Sequence, residues 1–254
     1  MSVPSYGSRW STYAKQWDAM TILPARLSEV RQTAKRLTDA KPRYQAVEKA
    51  TGVPWYMIAA IHERESSQSW KASLAQGDPW DRVSTHVPRG RGPFKSWEAA
   101  AIDALALDGL TKVIDWRLEK IFYYLELYNG WGYHAHGVPS PYLFGATNIQ
   151  KPGKYVADGV WSASAVDKQV GCAALIKVMM DLDASIEPIR EEGDKSPIAV
   201  GEKPTAAPMA PSRVPAERVA REPGPSVTTS SAAPGPAPVK GWVGSLVARL
   251  RGRA

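Results

Sequence analysis

The sequence predicts a mainly α domain, α+β in its detail, followed by a disordered Pro/Ala-rich tail. Apolar residues recur at helical spacing in successive runs up to residue 182. One later stretch, NIQKPGKYVADGVW, leaves that period and carries a turn signal at Ala157-Asp158-Gly159, so it reads as a hairpin or an extended loop. Composition then changes sharply. Nine of the ten Trp and all ten Tyr precede residue 185, while residues 185 to 239 have no aromatic side chain and hold 11 of the 21 Pro. A segment so poor in apolar groups does not bury enough surface to offset the entropy of ordering. The domains are therefore a globular unit over 1–184, a disordered linker over 185–239 and a short basic amphipathic helix over 240–254.

In chain order, residues 1 to 20 are polar with scattered rings (Tyr6, Trp10, Tyr13, Trp17) and read as a short helix packing those rings on the domain. From Pro24 to Ala40, Leu27, Val30, Ala34 and Leu37 form one apolar face of an amphipathic helix. A shorter helix over 43–50 turns Tyr44 and Val47 inward and stops at Gly52. Residues 53 to 66 form the next helix. Residues 67 to 95 then show no sustained period and are rich in Gly, Pro and polar residues; a loop this long inside a compact domain is usually functional. Helices return at Ser96, an N-cap with Glu98 in the first turn and Gly109 at the stop, and again over 116–130. Ser164-Ala-Val-Asp167 has the form of a capping box with aspartate in place of glutamate, and predicts that the closing apolar helix begins there.

The helix over 53–66, VPWYMIAAIHERES, carries the strongest chemical signal. At about 100° per residue, a spacing of seven puts Glu65 roughly 20° from Ile58, with Ile61 on the same side. Glu65 is thus expected to face the core and Glu63 the solvent. A carboxyl desolvated by apolar neighbours keeps its proton near neutral pH, as a general acid must. The competing reading is a structural ion pair with an arginine such as Arg64.

The net charge of +7 implies attraction to polyanions and does not choose among nucleic acid, anionic lipid and bacterial wall. The basic residues are dispersed and no reading motif for nucleic acid is present, so no nucleic-acid partner is expected. The single cysteine, Cys172, lies in an apolar run and reads as a core residue, which excludes a disulfide scaffold. The four histidines (His62, His86, His134, His136) lack the His-Glu-x-x-His spacing of a helical zinc site, so neither metal nor cofactor is expected. The first residues lack the apolar stretch of a secretory signal, and no apolar run is long enough to span a membrane.

IHERESS resembles the catalytic helix of goose-type lysozymes and lytic transglycosylases, members of the lysozyme-like superfamily, with Arg64, Glu65 and Ser66 at the matching positions. Tyr128-Asn129-Gly130 resembles the tyrosine-asparagine pair that follows a helix in lytic transglycosylases and lines their glycan site. The resemblance covers roughly residues 53 to 180. It departs from the families in having nothing closer to their Gly-Leu-Met-Gln-like motif than Gly90-Arg91-Gly92-Pro93. It implies a lysozyme-like fold with a hairpin or loop wall beside a substrate cleft, Glu65 as catalytic acid, and Ser66, Tyr128 and Asn129 as substrate contacts. Trp131, Tyr133 and Tyr142, interleaved with Gly, offer flat apolar faces for sugar rings. Asp78 or Asp81 fits the far side of such a cleft as a second carboxylate, although Gly-Asp-Pro is equally a turn sequence.

The expected function is accordingly a peptidoglycan-cleaving glycosidase of the muramidase, endolysin type. The alternatives are a lytic transglycosylase giving 1,6-anhydro products and a non-catalytic wall-binding module. The expected partner is the peptidoglycan glycan strand, met as a monomer. Residues 240–254, basic and amphipathic, suit an anionic membrane or lipopolysaccharide. The absence of a signal suggests a phage or prophage protein of a Gram-negative host, held in the cytoplasm until its release to the wall.

Overall fold

The computed structural model describes residues 3–191, apart from 76, 87 and 158. The linker and the basic helix predicted beyond residue 191 lie outside the described residues. Within them the fold is mainly helical. The principal helices are α1 (Trp10–Ala19), α2 (Leu27–Asp39), α3 (Lys41–Thr51), α4 (Trp55–Ser66), α5 (Trp97–Leu107) and α6 (Leu118–Asn129). Two single turns follow, α7 (Gly132–Ala135) and α8 (Pro141–Phe144), then a two-stranded antiparallel sheet of β1 (Lys154–Ala157) and β2 (Val160–Ser162), and finally α9 (Cys172–Leu182). No helix among the described residues is long and apolar enough to cross a membrane.

The local signals act as their chemistry requires. Gly52 takes a left-handed φ of 73° and closes α3, and Gly109 does the same after α5 at 74°. Ser96 caps α5 by accepting the Ala99 N–H at 3.2 Å. Val30, Ala34 and Leu37 bury one face of α2 against α9 and α4, and Tyr13 and Trp17 anchor α1 on α6.

Helix α4 is a centre of the packing. Its residues from Met57 to His62 have no exposed surface, with α2, α3, α6 and α9 all against it. Burying side chains such as Met57, Ile58 and Ile61 contributes roughly 1.5–3 kcal/mol each. Because α4 is covered by α2 as well, Glu63 does not face open water: its side chain is only 16 % exposed and lies 3.6 Å from Arg36 of α2. The expected solvated position for Glu63 is therefore corrected. His62 is a core residue. Its Nδ1 meets the Tyr44 hydroxyl at 2.9 Å and its Nε2 the Ser69 carbonyl at 3.0 Å, between the rings of Trp70 and Trp97. Burial lowers its pKa to about 4, so it stays neutral.

Two further expectations change. The closing helix begins at Cys172, and Asp167 of the supposed capping box is buried in the interior instead. Residues 163–171 stay outside helix because Gly171 must lie against Gly145, its N–H donating to the Gly145 carbonyl at 2.9 Å. The loop over 67–95 contains no strand among the described residues, only an isolated bridge between Ala72 and Pro79; the one sheet is at 154–162. The described residues past 184 pack on the same fold. Ile186 is buried, and Arg190 reaches Glu119 at 2.5 Å and Asp18 at 3.0 Å.

A Cβ on Gly171 would fall 2.3 Å from the Leu143 carbonyl oxygen and 2.4 Å from the Gly145 nitrogen, both backbone atoms. Gly171→Ala is therefore expected to destabilise the domain by about 1–3 kcal/mol, with a lower Tm in thermal denaturation. A Tm unchanged from wild type would contradict this close approach.

Candidate active site

The site begins where α4 ends. After Ser66 the chain reverses through two residues of positive φ, Ser67 at 52° and Gln68 at 58°, and their N–H groups return to the Glu63 and His62 carbonyls. Ser66 turns its hydroxyl to the His62 carbonyl at 3.1 Å. Glu65 is thereby held in the last turn, on the side where the spacing from Ile58 and Ile61 predicts it.

Its surroundings are poor in charge. The Tyr142 hydroxyl of α8 donates to Glu65 Oε1 at 2.9 Å. Arg64, adjacent in sequence, turns away to Asp167, Nη2 to Oδ2 at 3.2 Å, in a pair whose side chains are 5 % and 4 % exposed. The ion-pair reading therefore describes Arg64 with Asp167 and leaves Glu65 out. Burial pushes the Glu65 pKa from 4.5 to about 7, against the pull of the Tyr142 hydroxyl and Arg64, and Asp108 raises it further. A carboxyl in this state is protonated in a large fraction at neutral pH and can give up that proton.

The other expected site residues are dispersed in their roles. Asp78 organises the loop: Oδ2 accepts from the Ser84 hydroxyl and from the N–H groups of Thr85 and His86, and Oδ1 lies 2.6 Å from His86 Nδ1. Burial raises its pKa, but the His86, Ser84 and Thr85 donors outweigh it and the net shift is downward. The turn reading of Asp78 thus describes its geometry. Asp81 is exposed and 3.9 Å from Arg82. Tyr128 is buried, its hydroxyl donating to the Leu74 carbonyl at 3.0 Å, which ties α6 to the loop. Asn129 beside it is buried, and its Nδ2 has no partner among the described residues. Trp131 is half-buried against Tyr123 and His134.

Tyr133 and Tyr142 are corrected: neither presents an open face for a sugar. Tyr133 packs in the interior against Tyr155 and Trp161 of the hairpin, and Tyr142 is 2 % exposed and serves Glu65 through its hydroxyl. Aromatic residues among glycines look like stacking platforms in a sequence, but here the rings fill space between short elements.

Two carboxylates matter that the sequence reading did not select. Asp108, exposed at the C-cap of α5, is close enough for its charge to act on both Glu65 and Tyr128. Its only local signal is the Asp-Gly at the helix stop. Asp167 was read as a cap. Of the three remaining histidines His86 lies in the loop over 67–95, whereas His134 and His136 lie in α7 and at its C-cap, and no group of three or more His, Cys, Asp or Glu suited to a metal occurs among the described residues. No family model, curated protein or solved structure matches the chain.

The raised Glu65 pKa has a consequence for stability. Between pH 4.5 and about 7 the folded protein holds a proton that the unfolded chain has released, so folding weakens as pH rises through that window. Glutamine carries no such penalty. Glu65→Gln is expected to gain on wild type in Tm by a few degrees between pH 5 and pH 8, measured by calorimetry. A difference independent of pH would contradict the raised pKa.

Proposed function

We propose that the domain cleaves the β-1,4 glycosidic bond of peptidoglycan as a muramidase, with Glu65 as general acid. The observation that carries this reading is a carboxyl at the end of a largely buried helix, hydrogen-bonded to one tyrosine hydroxyl and with its pKa raised to about 7. The resemblance of Arg64-Glu65-Ser66 and of Tyr128-Asn129 to lysozyme-like enzymes supports the choice of substrate.

In this mechanism Glu65 protonates the glycosidic oxygen while the sugar develops oxocarbenium character. Tyr142 donates to Oε1, so Oε2 is the oxygen that carries the transferable proton. As that proton leaves, the Tyr142 hydrogen bond strengthens on the growing negative charge. For a hydrolase, Asp108 replaces Asp78 and Asp81 as the base that activates water, because its charge already acts on Glu65 and its side chain is exposed.

Digestion of purified Gram-negative peptidoglycan, with mass spectrometry of the fragments, tests the reading. Wild type is expected to release reducing muramic acid ends, with Glu65→Gln slower by about 10²–10⁴-fold. 1,6-Anhydro ends would assign the same acid to a lytic transglycosylase. Fragments released equally fast by Glu65→Gln, or none from wild type, would overturn the proposal.

Asp108→Asn separates its role from that of the acid. Loss of hydrolysis with an unchanged Tm is expected if it activates water, and retained activity would remove it from the mechanism.

A further inference from the structure

A buried arginine side chain one residue from a half-buried glutamate would ordinarily pair with it. Such a pair favours the ionised carboxylate, and an opposite charge at close range lowers a carboxyl pKa by about one to three units. An acid catalyst at this position would then be deprotonated at neutral pH. The fold avoids that outcome by directing Arg64 elsewhere.

Arg64 is fixed from three sides. Nη2 meets Asp167 Oδ2 at 3.2 Å, Nη1 donates to the Val170 carbonyl at 3.4 Å, and the guanidinium carbon sits 4.9 Å from the centre of the Tyr142 ring. Asp167 is itself held firmly. Its Oδ1 accepts the Gln169 N–H at 2.8 Å and lies 3.7 Å from Lys154 Nζ of β1, and its backbone carbonyl accepts from Gln150 at 2.7 Å. Gln169 closes the loop by donating to the Arg64 carbonyl at 3.3 Å. The segment 165–170 is thus anchored to α4 at the residue before the acid.

We propose that Asp167 is a positioning residue for the acid: by holding Arg64 beneath the Tyr142 ring and away from Glu65, it leaves the Tyr142 hydroxyl as the group that Glu65 meets. The inference rests on the proposed role of Glu65. Burial raises the Asp167 pKa, but Arg64, the Gln169 N–H and Lys154 outweigh it and keep the carboxylate charged. Around Glu65 the other titratable groups are Tyr142 of α8, Tyr128 of α6 and Asp108 at the end of α5, with Cys172 of α9 also within its field. Arg64 additionally feels Glu63 on its own helix. Among these groups Arg64 is the cation that lowers the proton affinity of Glu65, so its neutralisation by Asp167 is what the site depends on.

The test compares wild type, Asp167→Asn, Arg64→Met and the double variant. In Asp167→Asn the Arg64 charge is no longer offset, and the alkaline limb of kcat/KM is expected to move down by about one pH unit, with roughly tenfold less activity at pH 8. The double variant removes the charge as well as its partner, and is expected to return the limb to the wild-type position even where kcat has fallen. A uniform loss of activity in Asp167→Asn with an unmoved limb, or a limb equally displaced in the double variant, would overturn the proposal.

Carbon-13 NMR titration of the Glu65 carboxyl in the same four proteins reads the same shift without turnover. A lower Glu65 pKa in Asp167→Asn, restored in the double variant, supports the positioning role even if digestion shows that Glu65 is not the catalytic acid. An unchanged pKa contradicts the positioning role whatever the digestion shows.

Discussion

The structure depends on one unfavourable placement, a glutamate carboxyl at the end of a largely buried helix with a single hydroxyl to meet it. Desolvating a carboxylate costs more than one neutral hydrogen bond returns, so the group resolves the conflict by keeping its proton. The surrounding elements maintain that state. Helices α2, α3, α6 and α9 enclose α4, and the turn at Ser67 and Gln68 carries the chain away before another polar group fills the space. Tyr142 arrives on a single-turn helix opened by Pro141.

The same logic sorts the charges nearby. Buried ion pairs do little for stability, since desolvation offsets most of the attraction, but they fix where a charge lies. The Arg64 and Asp167 pair is best understood in that way. It joins the segment ahead of α9 to the acid helix, brings Lys154 of the hairpin into the same group, and supports the Tyr142 ring from below. Loop 67–95 is secured by other means: the Tyr128 hydroxyl on the Leu74 carbonyl, the His62 imidazole on the Ser69 carbonyl, and Asp78 gathering residues 84 to 86. None of these requires a regular strand, which is why the loop keeps its shape without a sheet.

Much of this was legible where the determinant is local. Helix stops at Gly52 and Gly109, the Ser96 cap and the turn before Val160 are decided by a few neighbouring residues. The inward direction of Glu65 follows from helical spacing alone. What stayed hidden is tertiary. The helical period placed Glu63 in solvent because it does not reveal that α2 covers that side too. Ser164 to Asp167 has the local pattern of a capping box, yet the meeting of Gly145 with Gly171 holds the chain out of helix and frees Asp167 to find Arg64. Asp108 and Glu65 are far apart in sequence, yet the charge of one acts on the other, a relation that no spacing rule carries. Tyr133 and Tyr142 were misjudged because composition alone does not distinguish a ring that faces a ligand from one that faces the core.

The central claim is that Glu65 delivers its proton to a glycosidic oxygen, and the most direct measurement is a crystal structure of Glu65→Gln bound to an intact peptidoglycan oligosaccharide. The account predicts a scissile oxygen within about 3 Å of the residue 65 side chain, with Tyr142 still hydrogen-bonded to it. A glycan bound elsewhere on the domain, with residue 65 out of reach of any glycosidic oxygen, would contradict it.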